Sequence, residues 1–150
     1  MVDLLQVDHL GIGIPRGDSP IALVEDVSFT IRAGDSYGIV GESGCGKSTT
    51  IRAIIRLLTG KARITQGRVQ FEGVDLARAP ESALRSVRGA GIGMVFQDPL
   101  TALNPVITVG QQIAEGLRYH GTRSAAARRE KVIRRMRRGS APLTIRCATR

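Results

Sequence analysis

Gly41-Glu42-Ser43-Gly44-Cys45-Gly46-Lys47-Ser48-Thr49 carries the spacing G-x-x-x-x-G-K-[ST], filled by Gly41, Gly46, Lys47 and Ser48. Glycines let the backbone curl so that successive N–H groups face phosphate oxygens. Lys47 brings a compact positive charge to terminal phosphates, and the Ser48 hydroxyl suits Mg²⁺. A helix starting here adds a positive dipole end of about half an elementary charge. Such a pattern can also arise in an ordinary surface loop, so its flanks decide. Ser36-Tyr37-Gly38-Ile39-Val40 reads as a short buried strand. From Thr50 to Leu58, the residues Ile51, Ile54, Ile55 and Leu58 recur at helical spacing, and Gly60 offers a stop. Strand, glycine-rich loop and helix together are the context the motif needs.

The chain has 150 residues, the length of one domain, with 42% hydrophobic and 23% charged residues. No apolar run approaches the roughly 20 residues of a membrane helix. Met1-Val2-Asp3-Leu4-Leu5-Gln6 lacks the basic start of a signal peptide. The chain itself reads as cytosolic, with membrane attachment only through a partner. Cys45 and Cys147 do not make a disulfide framework. Cys45 lies within the loop, either as a small space-filler or as a thiol whose alkylation blocks the site. His9 and His120 have no partner at metal-ligand spacing and read as ordinary histidines. The net charge is +9, yet residues 128–150 hold nine Lys/Arg against Glu130 alone, so the rest of the chain is nearly neutral. A basic tail can meet phosphates, but this one has no aromatic residue to stack a base, which argues against a nucleic-acid-binding protein.

Along the chain, residues 4–10 suggest a first strand, Gly17-Asp18-Ser19-Pro20 a turn, and Val27-Ser28-Phe29-Thr30-Ile31 a half-buried strand. Val69-Gln70-Phe71 predicts another strand, residues 80–88 a short helix, and Ile92-Gly93-Met94-Val95-Phe96 a strand ended by Pro99. Thr108 with Gln111 predicts a capping box opening a helix from Val109 to about His120. Residues 123–138 are helix-prone and strongly basic, and no internal repeat is visible.

Three segments occur in order: Val27–Ile31 with Gly34, the loop Gly41–Thr49, and Val95-Phe96-Gln97-Asp98-Pro99-Leu100-Thr101-Ala102-Leu103-Asn104-Pro105. Together they resemble the ATP-binding subunits of ABC transporters. Gln97 looks like that family's Q-loop glutamine, and the run to Pro105 is similar to the branch importing dipeptides, oligopeptides or nickel. The likeness covers roughly residues 4–135. It implies that Gly41, Glu42, Ser43, Gly44, Cys45, Gly46, Lys47, Ser48 and Thr49 wrap the phosphates of ATP. Lys47 would meet the β and γ groups, Ser48 and Gln97 would serve Mg²⁺, and Lys47 and Gln97 would be the catalytic residues. The segment from Pro99 to about Tyr119 would face transmembrane permease subunits, and a second ATP-binding subunit would complete a homo- or heterodimer.

The sequence also departs from that family. The family usually stacks adenine on an aromatic residue just after the first strand. Here Ile12, Ile14 and Pro15 stand in that stretch, so Ile14 becomes the base-packing candidate, with little discrimination between ATP and GTP expected. The signature Leu-Ser-Gly-Gly-Gln, an apolar strand ending in Asp-Glu, and the switch histidine do not occur in these 150 residues. The likeness fades near residues 134–137, where a shifted reading frame or early stop, or else a genuine basic tail, accounts for the change.

The resulting expectation is an α/β fold, a P-loop NTPase core with an N-terminal antiparallel β region, incomplete because the C-terminal half of the domain is missing. Residues 1–133 would be the N-terminal part of an ATP-binding domain and 134–150 a basic, non-native or disordered tail. Lacking strands beside residues 36–40, the isolated chain should be marginally stable and prone to aggregate. The expected function is an importer's ATP-binding subunit for peptides or nickel, on the cytoplasmic face of the membrane. In this form it binds nucleotide with near-zero turnover. Alternatives are a catalytically inactive nucleotide-binding fragment and another P-loop NTPase or kinase. The run Gln97–Pro105 and the lack of Asn-Lys-x-Asp weigh against the last. No specific nucleic-acid partner is expected.

Overall fold

The structure, a computed structural model, describes residues 3–17, 20–96, 103–122 and 124–138. Two compact units divide the chain, Met1–Leu84 and Arg85–Arg150. The first unit is built on β1 (Asp3–Ile14), β2 (Ile21–Arg32), β3 (Arg63–Phe71) and β4 (Val74–Asp75), in the order β2-β1-β3-β4. Every one of these pairings is antiparallel. Helix α1 (Lys47–Ile54) follows the glycine loop, and α2 (Glu81–Val87) spans the division between units. Helices α3 (Val109–Tyr119) and α4 (Ala125–Arg138) belong to the second unit.

The strands are longer than their apolar alternation predicts, because each changes phase part-way. In β1 the buried apolar side chains are Leu5 and Val7, then Leu10 and Ile12. The odd-to-even switch falls at His9, whose φ is 47°, and the β1/β2 register shifts between Val7 and Leu10. In β2 the switch between Val24 and Val27 falls at Asp26, φ 49°. In β3 it falls at Gly67, φ 86°, where a Cβ would overlap the carbonyls of Asp8 and His9. Three adjacent strands therefore bulge at one level, each absorbing an extra residue so that its apolar side chains stay on the core face. His9 Nδ1 lies 2.5 Å from Asp26 Oδ1, and the His9 N–H donates to Ser28 Oγ at 2.8 Å. These contacts tie the first two bulges together on the exposed face.

The core of this unit comprises Val7, Leu10, Ile12 and Val69, with Ala53, Ile54 and Ile55 buried at the end of α1. Each fully buried aliphatic side chain contributes roughly 1.5–3 kcal/mol. Helix α1 is shorter than its periodicity predicts. Arg56 takes a left-handed φ of 51°, its N–H donates to the Ala53 carbonyl, and the Leu57 N–H donates to that of Arg52. This double closure is a Schellman stop, four residues before Gly60. The face α1 buries is Thr50, Ala53 and Ile54; of the expected stripe Ile54 and Ile55 are buried, while Ile51 is exposed and Leu58 lies beyond the helix end.

Two expected strands are not strands. Residues 36–40 and 93–96 carry no strand, and Ile92 makes only an isolated parallel bridge to Arg88. Val40 is 92% exposed and Val95 63%. An extended apolar run becomes a strand only when another strand supplies its hydrogen-bond ladder. Among the described residues no strand pairs with 36–40.

Candidate phosphate-binding site

The loop is seated by the β1–β2 hairpin. Gly46 is the N-cap of α1 with φ 93°, and a Cβ there would stand 2.7 Å from Val24 Cγ2 and 3.1 Å from the Leu23 carbonyl oxygen. Conformation and space thus both demand glycine at this position. Thr50, buried to 4%, locks the next turn: its N–H and its hydroxyl both donate to the Gly46 carbonyl, at 2.8 and 3.0 Å. No side chain caps the first turn of α1, and no acidic residue stands in it. The orphan N–H groups of that turn and the positive end of the helix dipole are left for an anion.

Lys47 lies across the loop. Its Nζ donates to the carbonyls of Gly41 and Glu42, at 2.7 and 2.6 Å, and sits 3.5 Å from Cys45 Sγ. The ammonium is therefore fixed at the mouth of the loop rather than extended into solvent. Gly41, Glu42, Ser43, Gly44, Cys45 and Ser48 are exposed, and Thr49 is half-buried. Ser48 stands in the first turn, the position from which a hydroxyl can serve a cation held by phosphates. Among the described residues no cluster of three or more His, Cys, Asp or Glu could hold a metal. A hard cation held there by phosphates would keep mostly water and phosphate ligands, and Ser48 is the hydroxyl of the first turn that could join them.

Ile14 ends β1 half-buried and pairs with Ile21. It belongs to the same end of the hairpin that seats Gly46 through Leu23 and Val24. Gln97 lies outside the described residues, as do residues 98–102. The part of that segment that is described is tightly folded. Gln112 Nε2 donates to the carbonyls of Asn104 and Ile107, and its Oε1 accepts from the Asn104 N–H. Sequence reasoning missed Val24, Thr50, and the stacked rings of Phe29 and Tyr37, whose centroids lie 5.0 Å apart. These line a largely apolar cavity of about 390 Å³ against the loop, with Cys45 and Lys47 in its wall. The phase change at Asp26 is the signal that would have placed Val24 on the loop side.

The ABC transporter family profile matches residues 24–145, most of the chain. The chain belongs to the ABC transporter family. Similar curated relatives include the dipeptide transport ATP-binding protein DppD of Bacillus subtilis, 42% identical over 134 residues and 89% of this chain. The DppD protein of Escherichia coli is 39% identical over 87% of this chain. A probable peptide ABC transporter ATP-binding protein of Sinorhizobium fredii is 48% identical over 89% of it. The chain spans 40% of the length of each of these relatives. Two solved structures share the fold, a dimeric ATP-binding cassette in a post-hydrolysis state bound to ADP and Pi and a dimeric bacterial ABC transporter cassette. Their TM-scores are 0.74 and 0.76 at 24% identity, covering 97% of this chain and 60% of theirs. The fold is thus that of a P-loop NTPase core with an antiparallel β region. No helix among the described residues is long and apolar enough to cross a membrane.

Proposed function

We propose that this chain is the nucleotide-binding part of the ATP-binding subunit of a peptide importer. The observation that carries the reading is the open start of α1, with no side-chain cap and with Lys47 held across the loop. Names of relatives 39–48% identical supply the peptide branch. Phosphates of ATP would lie against the first turn of α1, oriented by its N–H groups and by Lys47. Mg²⁺, when bound with ATP, supplies charge neutralisation at the phosphates, and Ser48 is the residue that would reach it. Ile14 would pack against the base. Gln97 and the segment to Tyr119 would meet the permease subunits at the cytoplasmic face of the membrane, and a second ATP-binding subunit would pair with this one. Residues 1–133 are proposed as part of that domain and 134–150 as a basic tail outside it.

Binding without turnover is the form of this activity we propose for these 150 residues, because they contain no Asp-Glu strand and no Leu-Ser-Gly-Gly-Gln segment. Direct binding of ATP to the purified chain tests the reading, with Lys47→Ala as the control. Failure of the unmutated chain to bind ATP would sink it. Lys47-dependent hydrolysis by the pure chain would overturn the inactive-module form while leaving nucleotide binding intact.

A further inference from the structure

Helix α4, Ala125–Arg138, holds seven Lys/Arg and a single acid, Glu130. Its one buried apolar residue is Val132, which faces Gly110 and Ala114 of α3 across a shallow cavity of about 350 Å³. The apolar stripe does not end there. Ile133 and Met136, three apart and therefore neighbours on the helix surface, remain 42% and 52% exposed. At 100° per residue, exposed Arg134 stands to one side of Ile133 and exposed Arg129 lies one turn before the pair, between Ile133 and Met136 in angle, whereas Arg135 stands beyond buried Val132. Elsewhere the helix is held in place: Lys131 Nζ donates to Thr122 Oγ1, and Arg128 donates to the Thr122 carbonyl.

We propose that this face of α4 docks on an anionic phospholipid surface. The occupant follows from charge complementarity together with the aliphatic pair. A helix lying in a headgroup layer needs cations at its flanks and a few apolar side chains between them. Ile133 and Met136 supply that apolar centre, and arginine stems can lie along it while their guanidinium groups reach phosphate. Nucleic acid would use the cations but has no use for two exposed aliphatics, and α4 has no aromatic residue for a base. With only two side chains to insert, headgroup charge governs binding. The inference goes beyond attachment through permease subunits, since it gives the chain its own contact with lipid.

Flotation of the full chain with phosphatidylcholine vesicles, with and without about 30% phosphatidylglycerol, tests it, because aggregated protein does not float with lipid. The expected result is co-flotation with the anionic vesicles only, weakening as salt rises. The double variant Arg129→Gln/Arg134→Gln should bind about 25-fold more weakly, roughly fivefold per arginine removed. Arg129→Lys/Arg134→Lys should stay within about twofold, since charge rather than guanidinium geometry is used. Ile133→Ala/Met136→Ala should lose about tenfold. All these positions are exposed, and circular dichroism checks that helix is kept. Equal binding to pure phosphatidylcholine, undiminished binding by the glutamine variant, or capture of a short duplex DNA or an acidic polypeptide with anionic vesicles left unbound would each overturn the proposal.

Discussion

Helix α1 begins at Gly46 with no side chain closing its first turn, whereas α3 begins at Thr108 inside a complete capping box. Both face the same physical problem, four backbone N–H groups without intrahelical acceptors. In α3 the chain solves it locally. Thr108 Oγ1 accepts from the Gln111 N–H at 3.3 Å, and Gln111 Oε1 accepts from the Thr108 N–H at 3.0 Å. In α1 the loop is glycine-rich, its first turn reads Lys-Ser-Thr, and the residue before it is held in a left-handed conformation against Val24. One helix start is closed and structural. The other is kept open and positively charged, which is the arrangement an anionic ligand requires.

The largest expected effect breaks the open end. Lys47→Ala should weaken ATP binding about 100-fold, roughly 3 kcal/mol, because hydrogen bonds to charged groups carry about 1.5–3 kcal/mol each. Isothermal titration reads this, and circular dichroism should be unchanged. Next comes Gly46→Ala, which places a Cβ 2.7 Å from Val24 Cγ2 at a φ of 93°. It should destabilise the loop by about 1–3 kcal/mol and weaken ATP by at least tenfold. Hydrogen exchange of the α1 amides would reveal the loosening, and unchanged protection would contradict the seating by β2. Thr108→Ala sharpens the comparison from the other side. Loss of that cap should cost about 1 kcal/mol in the protection of α3 amides while leaving the Kd for ATP unaltered. The smallest effect concerns the base. With Ile14 rather than an aromatic residue at the proposed base position, ATP and GTP should bind within about threefold of each other. A large preference for ATP in competition titrations would mean that another residue reads the base.

How legible each part was depended on how local its cause is. The capping box at Thr108 and Gln111 appeared as predicted, because three residues of spacing and two side-chain types create it. The helix after the glycine loop was also legible in type, yet its end was not. Arg56, not Gly60, closes the helix, and its guanidinium is held by the Ala79 carbonyl at 2.5 Å, a contact 23 residues away in sequence. Strand limits were hidden for a related reason. Alternation that switches from Val7 to Leu10, or from Val24 to Val27, reads as a strand boundary until a bulge on one strand is seen beside a bulge on the next. Residues 36–40 show the converse, since a good strand composition remains coil without a paired neighbour.

The amino-acid sequence alone determined the phosphate loop, the resemblance to ABC ATP-binding subunits and the concentration of positive charge towards the C-terminal end. Each is a property of residue type at fixed short spacing, which backbone geometry carries directly into structure. Only the tertiary structure decided that Val24 and Leu23 seat Gly46, that three bulges align across β1, β2 and β3, and that Val132 is covered while Ile133 and Met136 stay exposed. Those outcomes depend on which distant segments pack side by side, and burial and hydrogen-bond pairing are settled between segments rather than within them.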